Sequence, residues 1–238
     1  MASVALLSGG LDSAVALAMA ARDEAGDVRL ALTFDYGQRA AKQEVAAARS
    51  ICAGLGVAHE VVPLPWLGRL APPALVDSAA ALPTITEEDL GDSDADLEQT
   101  AAAVWVSNRN GVFVNIAAAY AEHLGAGEVV CGFNAEEAQT FPDNSPEFVE
   151  ATTAALRLST RSHVRLRSPT GDLNKQQIVE LGRRIGAPIH LIWSCYDGGV
   201  EHCYRCESCA RLKRALRAAG SWEWFTEGRT PLEARQPR

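Results

Sequence analysis

Short apolar runs alternate with longer stretches of helical period along most of this chain, and glycine or proline marks most of the boundaries. Residues 4–7, 28–34 and 57–63 each have the length and near-continuous apolarity of a buried strand. Between them lie an alanine-rich helix around residues 14–20 and a second helix over 39–55, stopped at Gly54 and Gly56. Strands joined by helix-length crossovers pair in parallel, with helices on both faces of the sheet. A fourth strand is expected over 127–134, and a fifth over 164–169, where alternate side chains are polar. Helices are expected over 112–124, apolar on nearly every side and therefore central, over 146–158, and over 176–185. Ser145 and Pro146 are suited to cap and first position of the second of these, and Gly186 with Pro188 stops the third. The predicted fold class is α/β, an open and mostly parallel sheet.

From 63 to 103 the pattern weakens. Asp77, Glu87, Glu88, Asp89, Asp92, Asp94, Asp96 and Glu98 stand in a segment, residues 77–98, without one lysine or arginine. Such a composition cannot supply core, so a solvated loop is expected, with a lid over the site as the alternative. The domain reading is an α/β body over 1–190, a small cysteine-bearing segment with a helix over 191–226, and a tail at 227–238, the chain fraying after Trp224.

Composition narrows the classes of function. At 238 residues the chain can bury a substantial core, and no stretch is long and apolar enough to span a membrane. Met1-Ala2-Ser3 runs straight into the first strand, leaving no room for a signal peptide, and six cysteines then argue for thiols or metal ligands in a reducing cytoplasm. A net charge of −8 is a poor match for nucleic acid, so the expected partner is a small molecule, neither nucleic acid nor membrane. A homodimer is the candidate assembly.

Ser8-Gly9-Gly10-Leu11-Asp12-Ser13 joins the first strand to the first helix. Strand, glycine turn and helix start make an anion site, because unpaired N–H groups and the helix dipole face into the turn. The turn lacks both the Gly-Lys-Ser/Thr ending of a Walker loop and the Gly-x-Gly-x-x-Gly spacing of dinucleotide binders. Tyr36 and the 136–145 loop follow predicted strands, hence lie at the same ligand edge. Arg109 and Asn110 precede a helix, a place to meet phosphate or ribose, with Asn110 as a simple cap beside a surface arginine the equal alternative. Lys175 at a helix start runs against the dipole preference, which favours an anion-binding role. His59 reads as a satisfied strand residue, and Cys52 and Cys131 read as core thiols.

Cys195, Cys203, Cys206 and Cys209 carry two overlapping Cys-x-x-Cys pairs with a fourth cysteine upstream, and Gly198-Gly199 supplies the return. Four thiolates on one Zn2+ is the default for this spacing, structural because no coordination position stays open; an iron–sulfur cluster is the rival.

The Ser8 to Ser13 turn resembles the pyrophosphate loop of the ATP pyrophosphatases, and with the cysteine set the chain resembles the 7-cyano-7-deazaguanine synthase family. Phe34-Asp35-Tyr36-Gly37-Gln38, Arg109-Asn110, Pro142-Asp143, Pro146-Glu147-Phe148, Trp193-Ser194-Cys195-Tyr196 and His202-Cys203 agree with it. The chain departs from the family pattern at Ser107, where proline is usual, at Tyr204, where glycine is usual, and through Gln139 to Asn144. The resemblance implies an adenine nucleotide alpha hydrolase-like fold and an ATP-dependent ligase that makes a nitrile from 7-carboxy-7-deazaguanine and ammonia, using ATP with Mg2+. It implies a nucleotide site formed by Leu7, Ser8, Gly9, Gly10, Leu11, Asp12, Ser13, Ala14, Val15, Ala16, Leu17 and Arg109, with Ser8, Asp12, Ser13 and Lys175 acting on the phosphates. Asp143 is then expected to read the purine-like edge, with Phe141 or Tyr36 stacking on it. Two alternatives stay open: another adenylating ATP pyrophosphatase, an amidotransferase or tRNA-thiolating enzyme, and a zinc-stabilised nucleotide-binding module without turnover.

Overall fold

The structure, a computed structural model, describes residues 1–23, 26–85 and 103–227. Residues 86–98 of the acidic segment and 228–238 of the tail lie outside them. Five parallel strands, β1 (Ala2–Leu6), β2 (Asp27–Asp35), β3 (His59–Pro63), β4 (Glu128–Val130) and β5 (Arg165–Arg167), form one sheet in the order β3-β2-β1-β4-β5. The helices are α1 (Leu11–Arg22), α2 (Ala41–Leu55), the short α3 (Pro65–Gly68) and α4 (Pro73–Val76), α5 (Arg109–His123), α6 (Pro146–Ser159), α7 (Lys175–Arg184), α8 (Glu207–Ala218) and α9 (Trp222–Glu227).

Alternation along the central strand splits the core into two layers. Ala5 and Leu7 face one, with Ala14 to Ala18 of α1, Ile51 of α2, Ile178 of α7 and Leu212 and Leu216 of α8. Val4 and Leu32 face the other, with Val114, Ala117 and Ala121 of α5 and Leu156 of α6. The alanines of α1 let that helix lie close on the sheet, and Ala14, Val15, Leu17 and Ala18 are fully buried. Cys52 and Cys131 are buried thiols, each pushed up to about 12 by burial. The His59 Nε2 lies 2.8 Å from Thr33 Oγ1, a satisfied strand histidine. Ser145 caps α6 by accepting the Phe148 N–H, with Pro146 first in the helix, and Asn174 and Gln177 close a capping box on α7.

Three boundaries differ from expectation. α5 starts at Arg109, not 112, because Asn108 in the left-handed region (φ 54°) turns the chain directly into the helix; Asn110 is inside the first turn and is no cap. That helix also buries one face, with Asn115 and Ala119 exposed, since alanine is apolar yet tolerates water. The β4 ladder ends at Val130, after which the chain is diverted past the start of α1. The C-terminal end is anchored: Phe225 of α9 is fully buried in the first core layer, so the chain is not frayed immediately after Trp224.

Candidate active site and metal centre

β1 ends at Leu6 and α1 begins at Leu11, so residues 7–10 must redirect the chain at the carboxyl edge of the central strand. Gly9 does this at φ +83°, where a Cβ would stand 2.6 Å from the Glu44 carbonyl oxygen. Gly10 occupies the cap position of α1 without a side-chain cap, and Ala14 makes the first backbone bond of the helix, to the Gly10 carbonyl at 3.1 Å. The N–H groups of residues 11–13 therefore face outward, as at any helix start. Ser8 Oγ and Ser13 Oγ lie 3.0 Å apart, Ser8 Oγ accepts the Gly10 N–H at 3.3 Å, and Ser13 Oγ donates to the Gly10 carbonyl at 3.3 Å. Gly132, just past β4, passes so close that a Cβ would meet the Ser13 nitrogen at 2.5 Å. Strand order reverses between β1 and β4, where open parallel sheets form their ligand crevice.

A cavity of about 260 Å³ opens there. Leu7, Ser8, Gly10, Leu11, Asp12 and Ser13 line one wall, and Tyr36, Arg109, Phe141, Asp143 and Lys175 are among the residues that line the others. Ala14, Val15, Ala16 and Leu17 do not reach it: their side chains belong to the core, and they support the turn from behind. Gly9 shapes the turn without lining the cavity.

Lys175 Nζ sits between Asp12 Oδ2 at 2.8 Å and Glu137 Oε1 at 2.7 Å. Burial opposes its charge, but the two carboxylates hold its pKa above the ordinary lysine value. The dipole argument for Lys175 thus meets a local answer, since two acids compensate the cation at the helix start. Burial pushes Asp12 up, outweighing the ammonium, whereas for Glu137 burial is overcome by Lys175, Arg211 and Asn134 acting together, which hold it down. Asp12 Oδ1 is buried with no hydrogen-bond partner among the described residues. Such an atom facing a phosphate-type turn suits a metal-bound water or a hydroxyl donor.

Across the cavity, Arg109 Nη1 donates to Tyr36 Oη at 3.3 Å. Asp143 accepts the Asn110 N–H at 3.3 Å and the Asn144 side-chain amide at 3.2 Å, and burial raises its pKa. Phe141 lies parallel to Trp105 with ring centres 5.8 Å apart, whereas Tyr36 is tilted against Phe113.

The sulfurs of Cys195, Cys203, Cys206 and Cys209 all fall within 4.8 Å of one another. A tetrahedral ion with metal–sulfur bonds of about 2.3 Å needs sulfurs about 3.8 Å apart, so the four can close on one ion with small adjustments. Backbone N–H groups of Asp197 and Cys203 donate to Cys195 Sγ, and those of Arg205 and Cys206 to Cys203 Sγ, at 3.2–3.4 Å, a donor set suited to thiolates. Tyr204, standing where glycine is usual, keeps the left-handed backbone (φ 53°) and packs against Trp222 and His202. The described start of the acidic segment runs along this loop: Thr84 bridges to Cys206, and the Ile85 N–H donates to the Arg205 carbonyl at 3.1 Å.

The cysteine cluster and the cavity are joined. The Trp193 N–H donates to the Gly9 carbonyl at 2.8 Å. Tyr196, Glu207, Ser208 and Arg211, all within the cysteine-bearing segment, line the cavity, with Arg211 Nε on Glu207 at 2.5 Å. These four, with Gln38, Glu44, Trp105 and Glu137, escaped the sequence reading as site residues. Their signal was position: Tyr196 follows Cys195, and Arg211 follows Cys209 by half a turn.

Comparison with known proteins agrees with this geometry. The family profile described as queuosine biosynthesis protein QueC matches residues 2–220. The 7-cyano-7-deazaguanine synthase of Pelotomaculum thermopropionicum is 52% identical over 220 residues, covering 92% of this chain and 98% of that protein. That of Methanobrevibacter smithii is 45% identical over 217 residues, covering 91% and 93%. Among solved structures, the NMN synthetase of Francisella tularensis has a TM-score of 0.46 at 18% identity, covering 96% of this chain and 86% of that one, a likeness too distant to bear on function. With nearly its whole length matched, and relatives at about half identity along it, the chain belongs to the QueC family of queuosine biosynthesis proteins and is an enzyme of that family, an ATP-dependent ligase.

Proposed function

We propose that this protein converts 7-carboxy-7-deazaguanine and ammonia to 7-cyano-7-deazaguanine, activating the substrate by adenylation and releasing AMP and pyrophosphate. The observation that carries the reading is that the residue 8–13 turn and the Phe141–Asp143 loop open on one cavity. A substrate held by the loop therefore has its reacting group beside the nucleotide's α-phosphorus. A carboxylate is a poor electrophile at neutral pH, and adenylation turns its oxygen into a leaving group. Ser8 and Ser13 hydroxyls and the free N–H groups at the start of α1 receive the departing pyrophosphate. Arg109 supplies positive charge at the cavity wall, with Lys175 at hand as a donor held by Asp12 and Glu137, and Asp143 accepts from the amidine edge of the base while Phe141, backed by Trp105, offers an aromatic face. Ammonia then displaces AMP to give the amide, and a second adenylation, on the amide oxygen, lets AMP leave as the nitrile forms.

Two ions belong to this reading. Mg2+ bound with ATP spreads the phosphate charge, and the orphaned Asp12 Oδ1 is the protein atom suited to it through water. Zn2+ held by the four cysteines is structural: it fixes the segment that presents Tyr196, Ser208 and Arg211. On this proposal residues 1–190 are the nucleotide-binding body and 191–226 a metal-pinned segment closing one side of the site, in a reducing cytoplasm that keeps the thiols free. Among the described residues no helix is long and apolar enough to cross a membrane.

The thiolating alternative needs a reactive cysteine at the cavity. Cys131 does line it, but burial holds that thiol protonated at about 12, which disfavours sulfur transfer. Mass spectrometry of the products decides the reading. With the carboxylate labelled by heavy oxygen, the expected products are nitrile, pyrophosphate and AMP carrying the label. ADP and orthophosphate as the only nucleotide products at full activity would overturn it.

A further inference from the structure

Five carboxylates line the cavity: Asp12, Glu44, Glu137, Asp143 and Glu207. Asp12 and Glu137 share Lys175, and Glu207 holds Arg211. Asp143 has an N–H donor on each oxygen. Glu44, from the first turn of α2, differs: it has one neutral donor, Gln38 Nε2 at 2.8 Å from Oε2, and no ion pair among the described residues.

The Gln38 amide is not free to do otherwise. Its oxygen accepts the Tyr36 N–H at 2.9 Å, and its nitrogen also donates to the Phe34 carbonyl at 3.1 Å, so the donor end is aimed at Glu44. A half-buried carboxylate without a paired cation is left partly desolvated, and a cation brought by the reaction relieves that cost. The groups facing it are Gln38, the Tyr36 phenol, the Arg109 guanidinium at a distance beyond ion pairing, and Asp35, whose like charge also favours an incoming cation. The proposed reaction consumes one small monocation, ammonium, which is not a nucleophile until it loses a proton.

We propose that Glu44 is the ammonium site of the cavity and the base that releases ammonia. This rests on the ligase reading above. The Glu44 carboxylate binds NH4+ and takes one proton from it. The freed nitrogen lone pair forms the C–N bond at the carbonyl carbon of the acyl adenylate, and the C–O bond to AMP breaks with its electron pair remaining on the phosphate oxygen. The amide nitrogen loses its second surplus proton to water, Glu44 returns its own, and the balance is acyl adenylate plus ammonium giving amide, AMP and two protons. Burial, the largest influence on Glu44, raises its pKa and makes it a stronger base than a surface glutamate.

The test separates the two half-reactions in the full-length enzyme. Exchange of labelled pyrophosphate into ATP, driven by 7-carboxy-7-deazaguanine without ammonium, reports adenylation alone. Glu44→Gln is expected to keep this exchange within about twofold of the parent, while ammonium-dependent amide formation falls by about a hundredfold or more, the usual worth of a lost general base. Hydroxylamine, neutral at the assay pH, is expected to give hydroxamate at parental rate in the variant. Glu44→Asp, which keeps the charge, is expected to raise the KM for ammonium with exchange unchanged, and it serves if the glutamine variant does not fold. Unchanged ammonium kinetics in Glu44→Gln, or loss of exchange together with aminolysis in a folded variant, would overturn the assignment. Absence of exchange in the parent would instead sink the ligase reading on which it rests.

Discussion

Lys175 Nζ stands 2.8 Å from Asp12 Oδ2, joining the first turn of α7 to the first turn of α1 across the switch point of the sheet. The same ammonium holds Glu137, so one buried cation offsets the mutual repulsion of two partly exposed acids. Replacing Lys175 by Met leaves both acids without their cation. The expected loss of stability is at most about 3 kcal/mol in urea denaturation, the lower end of the range for breaking a buried pair from one side, because both acids keep some contact with water. Lys175→Met combined with Asp12→Asn is expected to lose less than the sum of the two single changes.

Ser13→Ala removes a hydroxyl from the turn while leaving the glycines that shape it. Pyrophosphate exchange is expected to fall by roughly tenfold to a thousandfold, by analogy with lost oxyanion-type donors. Metal content is expected to stay at the parental level, because the cysteines do not touch that hydroxyl. Loss of metal from Ser13→Ala would show that the two sites fold as one unit.

Gly132→Ala places a methyl group where the Ser13 nitrogen stands 2.5 Å away, against backbone that cannot swing aside. The chain past β4 must then move off α1, at a cost of about 1–3 kcal/mol. ATP affinity, measured by calorimetry, is expected to fall with it. A variant with parental stability and affinity would mean that α1 and β4 can separate freely.

Elemental analysis is expected to find about one zinc per chain, the capacity of a single four-thiolate site. Cys209→Ser is expected to lower the thermal midpoint and abolish turnover together, since Arg211 on the same helix lines the cavity and Trp193 ties the segment to Gly9. Iron with sulfide in place of zinc would replace the zinc assignment.

Burial raises the folded-state pKa of Glu44 above its ordinary value of 4.5. The folded chain therefore keeps this proton where the unfolded chain has lost it, and this group's contribution to stability declines as pH rises from that value through the raised one. Glu44→Gln removes the dependence. Its thermal midpoint is expected to gain on the parent's as pH rises from the ordinary value of 4.5 through the raised one, with Asp12 and Asp143 contributing equally to both proteins and cancelling. A constant difference across that range would show that Glu44 titrates as an ordinary exposed acid.

What could be read from the residues alone was local chemistry with short reach. A glycine turn between an apolar run and an alanine-rich helix specifies a strand, a tight reversal and exposed N–H donors within ten residues, and the structure forms that turn with Gly9 in the left-handed region. Cys203, Cys206 and Cys209 are close in sequence, so their convergence needs only one loop and one helix turn, and Cys195 returns over Gly198-Gly199. Parallel order followed from strand–helix alternation, and the Ser145 cap from its proline neighbour. The start of α5 at Arg109 was not legible, because the left-handed turn at Asn108 is set by the packing around it. Nor was the burial of Phe225, which depends on α8 laying its apolar side on the first core layer. The cavity's charge pattern was beyond the sequence for the same reason. Lys175 meets Asp12 from 163 residues away, Trp193 reaches back to Gly9, and Glu44 has no ion pair among the described residues because packing leaves Arg109 beyond its reach. The residues themselves determined the turn, the sheet and the four-cysteine cluster through propensity and spacing; which acid pairs with which base was decided by the chain packing that sets long-range distances, and Coulomb attraction in a buried site depends on those distances above all.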